Sequence, residues 1–81
     1  MKTTRKQLVN FAIGLVKEIS KQNKNINVQY KNSGVMVWFH YNEASCECIH
    51  LFGFDTLTKN KSKFKKAILK IRGIILWKEN Y

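Results

Sequence analysis

Acidic residues are scarce in this chain. Five Asp/Glu stand against fifteen Lys/Arg in 81 residues, a formal net charge of +10. That sign excludes an acidic mimic of nucleic acid. Such an excess repels itself in the compact state and draws in polyanions. Proline is absent and glycine occurs four times. There is no internal linker, repeat or low-complexity tract, and no glycine-rich loop of the kind that cradles phosphates. Cysteine is limited to Cys46 and Cys48. On a strand the two would share a face about 7 Å apart, which is poor disulfide geometry. With no signal-peptide pattern at Met1–Arg5, a reduced cytoplasmic chain is the expectation. No apolar run approaches the roughly 20 residues of a membrane span, so no membrane partner is expected.

Catalytic and metal chemistry are thinly supplied as well. No paired carboxylates and no nucleophile–base–orienter set can be assembled. Cys46, Cys48 and His50 alternate along one segment, but the Cys-x-x-Cys spacing of metal sites is missing and His40 falls on the opposite strand face. Reduced cysteines in a sheet core explain the pair better. His40 and Glu47 are expected as cross-strand neighbours, an ordinary polar pair rather than an acid–base dyad. The expectation is a protein that is not an enzyme and uses no cofactor or metal.

What the chain does have is apolar and aromatic residues, 44% and 12% of the total. These suffice for one small packed domain over residues 1–81. Thr4 reads as an N-cap with Gln7 at the capping-box position. Leu8, Phe11, Ala12, Leu15 and Ile19 then recur at helical spacing, predicting a helix over about residues 4–22. Val9, Ile13 and Val16 widen its apolar arc to roughly 200°, more than one sheet needs. Ile26, Val28 and Tyr30 alternate with polar residues as a half-buried strand. Asn32-Ser33-Gly34 marks a turn, Val35 to Tyr41 a second strand, Asn42 to Ser45 another turn, and Cys46 to Phe54 a third strand. Phe64, Ala67, Ile68, Ile71 and Ile75 share one face of a second helix, capped by Thr58 or Ser62. The fold class is α+β: a three-stranded antiparallel sheet packed by two helices, α-β-β-β-α. Residues 73–81 read either as a helix extension or as a fourth strand.

Pairing Tyr30 with Val37 and Phe39 with Cys48 puts Ile26, Val28, Tyr30, Val35, Val37, Phe39, Tyr41, Cys48 and Phe52 on a core face. The other face then gathers Met36, Trp38, Ile49 and Leu51. That face is too apolar to be merely wet. Either residues 74–81 cover it or it binds a protein partner or stacks on bases. The wide arc of the first helix makes a homodimer a further reading.

Charge is concentrated at the two ends of the chain. Seven cations fall between Lys59 and Arg72 with no acid among them. A helix start favours anions, so lysines gathered there are destabilising unless something negative visits. The order helix–three strands–helix resembles that of the double-stranded RNA-binding domain, over most of the chain and as topology alone. In that family the second helix opens with a Lys-Lys-x-Ala-Lys run on phosphates. The nearest run here is Lys65-Lys66-Ala67-Ile68-Leu69-Lys70, with altered spacing. The family's Gly-Pro-x-His loop has no counterpart, so the resemblance does not carry over its minor-groove contacts.

Two functional expectations follow. The first is a small non-enzymatic protein that binds DNA or RNA, contacting phosphates through Lys61, Lys63, Lys65, Lys66 and Lys70. The second is a protein-interaction module, such as a small phage-type effector or a homodimer, that uses Met36, Trp38, Ile49 and Leu51. Against both stands the plain alternative that charge runs are usually solvated helix surface.

Overall fold

The computed structural model describes residues 2–22 and 24–73. A capping box opens the first helix, α1, Arg5–Ile19: Thr4 Oγ1 accepts from the Gln7 amide at 3.1 Å, and the Gln7 side chain accepts from the Thr4 amide at 2.8 Å. The helix stops three residues short of the expected end. Tight turns there use up its last carbonyls: Ser20 Oγ donates to Lys17 O, and the Lys21 and Gln22 amides donate to Glu18 O and Ile19 O.

Three antiparallel strands follow, β1 Ile26–Lys31, β2 Gly34–Asn42 and β3 Ser45–Phe52, in the order β1-β2-β3. The second helix, α2, spans Leu57–Ile71. The architecture is α+β with the order α-β-β-β-α. Residues 74–81, expected as a helix extension, a fourth strand or a cover over the sheet, lie outside the described residues.

The register differs from the expected one. Tyr30 faces Val35 rather than Val37, a two-residue shift that leaves the same side chains on the core face. The β2–β3 difference is larger. Asn42 pairs with Ser45 at the turn, and the expected Phe39–Cys48 pairing would continue that phase. An irregularity between His40 and Asn42 instead shifts the ladder by one residue, so Phe39 faces Glu47 and Trp38 faces Cys48. A one-residue slip flips every side chain of β3. Leu51 and Ile49 therefore turn to the core, while Cys46, Cys48, His50 and Phe52 turn away. Alternation could not reveal this, because both faces of β3 are apolar.

Both helices pack on the same side of the sheet. Leu8 and Leu15 from α1, Ala67 and Ile71 from α2, and Ile26, Val35, Val37, Phe39 and Leu51 from the strands form the buried core. Burying each large side chain contributes about 1.5–3 kcal/mol. Two glycines permit close approaches. Gly34 sits at φ +141°, and a Cβ there would lie 2.0 Å from the Leu51 carbonyl oxygen. Gly14 leaves room for the Phe64 ring against α1, and that ring sits 5.1 Å from Phe11.

The start of α2 is fixed by polar contacts. Thr56, not Thr58 or Ser62, is its N-cap, with Oγ1 accepting from the Lys59 amide. The reason is tertiary. Thr3 donates its amide to Gly53 O and Asp55 O and its hydroxyl to Asp55 O, fixing the turn just ahead of Thr56. Asn60, fully buried, donates from Nδ2 to Thr3 Oγ1 and to Phe52 O, 2.7 Å each. One side chain of α2 thereby fastens the N-terminal segment and the end of β3.

Candidate nucleic-acid interface

The seven cations from Lys59 to Arg72 fall into two groups. Four of them meet an acid. Asp55, immediately before the N-cap, pairs with Lys59 at 3.5 Å and with Lys63 at 3.3 Å. It supplies the negative charge that the helix start favours, although the first turn itself holds no acidic residue. Glu47 on β3 pairs with Lys70, and Glu18 on α1 pairs with Arg72.

Lys63 and Lys70 are structural in placement. Lys63 reaches round the edge of the sheet, donates to the His50 carbonyl at 2.9 Å and lies 4.9 Å from the Phe52 ring centroid. Lys70 is only 6% exposed and sits 5.3 Å from the ring centroids of both Phe39 and Tyr41. Burial pulls its ammonium down, but hydrogen bonds to Glu47 and Tyr41 outweigh it, and the net shift is upward. Burial and then the hydrogen bond to Glu47 raise the Tyr41 hydroxyl. Both lysines were expected on phosphates; the structure commits them to the fold.

Arg72 grips Glu18 with two hydrogen bonds, Nε to Oε1 at 2.8 Å and Nη2 to Oε2 at 3.0 Å. Such a bidentate fork is the strong form of the ion pair. The Arg72 hydrogen bond, helped by its charge and by Lys21, draws the Glu18 carboxyl down to about 2 against the opposing effect of burial.

Lys61, Lys65 and Lys66 are exposed, and among the described residues none of the three has an acidic partner. Lys61 and Lys65 are one turn apart on the same side of the helix. Lys61 also lines an open groove between the N-terminal halves of the two helices, together with Gln7, Asn10, Phe11 and Leu57. On α1, Lys6 lies one turn before Asn10 and Lys17 two turns after it, both exposed.

The four residues expected as a partner surface are divided by the β3 register. Met36 and Trp38 face away from the helices. Leu51 is fully buried in the core, and Ile49 packs against it. Glu47 likewise faces the helix side, so His40 pairs with Cys46 instead of Glu47. The role of Glu47 as the Lys70 partner had no sequence signal; the two are 23 residues apart and meet only through the β3 register. The sheet face opposite the helices carries Trp38, His40, His50 and Phe52, with Cys46 and Cys48 as free thiols. Burial pushes the Cys48 thiol up. Burial, with Lys63 nearby, lowers His50 and so disfavours its charged form.

Among the described residues no group of His, Cys, Asp and Glu could hold a metal ion, and no helix is long and apolar enough to cross a membrane. No family model matches this chain, and no curated protein or solved structure matches it. The likeness to the double-stranded RNA-binding domain thus stands on the order of elements alone.

Proposed function

We propose that this protein binds nucleic acid without catalysing a reaction, through phosphate contacts on the exposed side of α2. The observation that supports this is the leftover charge. Glu18, Glu47 and Asp55 are each taken up by a cation of α2, yet Lys61, Lys65 and Lys66 remain exposed with no acidic partner among the described residues. Contacts of this kind hold the backbone and carry little sequence information.

The test is a titration of duplex and single-stranded DNA and RNA across a range of salt. With three phosphate contacts, log affinity for duplex DNA falls against log salt with a slope of about −3, at roughly −0.9 per contact. The triple variant Lys61→Glu, Lys65→Glu, Lys66→Glu removes most of that slope. Absence of binding at low salt, or an unchanged slope in the triple variant, would sink the reading.

A second reading, a protein-interaction module or homodimer, is favoured by the wide apolar arc of α1 rather than by Met36, Trp38, Ile49 and Leu51. Val9, Ile13 and Val16 form an exposed apolar stripe along α1, 37%, 48% and 54% exposed, and Tyr30 on β1 is 45% exposed. Sedimentation of the wild type and of Ile13→Glu decides it: a dimer that the variant dissolves supports this reading.

A further inference from the structure

On the sheet face away from the helices, Trp38 and His40 stand two residues apart on β2 with near-parallel rings, 20° between planes and 6.5 Å between centroids. Neighbouring bases on a strand are separated by about 3.4 Å, so one base between two rings needs roughly twice that spacing. The centroid spacing is of that order. The gap opens into a shallow pocket lined by Trp38, His40, Asn27, Gln29 and Cys46. Asn27 is the direct cross-strand neighbour of Trp38, and Gln29 follows two residues along β1. Each amide offers both donors and an acceptor, the complement of a base edge. Next on the same face of β1 comes Lys31, exposed and about 7 Å beyond Gln29. Glu47, the one acid of the three strands, faces the helices and not this side of the sheet.

We propose that this face binds single-stranded nucleic acid, with one unpaired base held between Trp38 and His40, its edge against Asn27, and the strand running on past Gln29 to a phosphate at Lys31. The choice of ligand rests on the nucleic-acid reading of the α2 lysines; the site itself is separate and lies on the opposite layer. A base already stacked and paired in a duplex cannot enter the slot, whereas an unpaired base presents both its faces and its edge. Stacking accepts any base, and the Asn27 amide adds a preference for some edges over others.

The experiment measures affinity of the full chain for a short single-stranded oligonucleotide and for a duplex, in the wild type, Trp38→Ala, Trp38→Phe and the α2 triple Lys→Glu variant. Circular dichroism confirms that each variant is folded. Trp38→Ala is expected to weaken single-strand binding about tenfold or more, to leave duplex binding unchanged, and to be largely rescued by Trp38→Phe. In a Trp77→Phe background, Trp38 is the sole tryptophan, and its emission should be quenched as the oligonucleotide binds. Single-strand binding that Trp38→Ala leaves intact overturns this site while the phosphate-binding reading stands. Displacement of the oligonucleotide by an equal concentration of free mononucleotide overturns the choice of a strand as ligand. No binding of any nucleic acid overturns both readings together.

Discussion

On the side of α2 that faces the sheet, Asn60, Lys63 and Lys70 end on protein acceptors: Thr3 and the Phe52 carbonyl, the His50 carbonyl and Asp55, and Glu47. On the side that faces solvent, Lys61, Lys65 and Lys66 meet no acid among the described residues. The residue type is largely the same on both sides. What differs is whether a carboxylate or carbonyl from another element comes within reach. A position inside a basic run therefore says little about a lysine's use, and the partner brought by the fold says most.

The most direct way to break this contrast is Asn60→Ala. It strips Phe52 O and Thr3 Oγ1 of a donor in a fully buried setting. The expected cost is about 3 kcal/mol, read from urea denaturation. A loss below about 1 kcal/mol would mean that the inward side of α2 is not what fastens the N-terminal segment.

A paired comparison sharpens the point. Lys70→Ala leaves Glu47 without its ion pair and empties a site against Phe39 and Tyr41. Because Glu47 is 41% exposed and can rehydrate, the expected cost is about 2 kcal/mol, below that of a fully buried pair. Lys65→Ala and Lys66→Ala are expected within about 0.5 kcal/mol of wild type. Equal costs in the three variants would erase the distinction between the two sides.

A further test concerns Glu18 and Arg72, where the two helices join. The Glu18 carboxyl lies at about 2 in the folded protein against an ordinary 4.5. A depressed value means that the unfolded chain binds more protons over that interval, so stability falls as pH falls. The contribution is complete above about pH 4.5 and disappears toward pH 2. Thermal melts of wild type and Glu18→Gln across that window test it. The variant should show a flatter dependence on pH, and parallel curves would remove the pair from the account.

Much of the fold was legible in the chain. The capping box at Thr4 and Gln7, the stripe through Leu8 and Leu15, and the alternation of β1 and β2 each express one element's own period, and those elements formed where expected. The β3 register was not legible. Cys46, Cys48, His50 and Phe52 on one face and Ile49 and Leu51 on the other are both apolar enough to be core, so the pattern gave no preference. The candidate site was half legible. Lys61, Lys65 and Lys66 remain exposed as expected, whereas Lys63 and Lys70 were claimed by acceptors contributed by β3 and the turn after it. The slot between Trp38 and His40 depended on which residues of β1 and β3 stand beside them.

The sequence alone determined the order of the elements, the apolar side of each helix and the excess of positive charge, because these depend on local spacing and composition. Only the tertiary structure decided which face of β3 is buried and which lysines are spent. The first, and the pairing of Lys70, depend on one irregularity between His40 and Asn42. By shifting the ladder one residue it turns Leu51 into the core and carries Glu47 to the helix side, where Lys70 meets it.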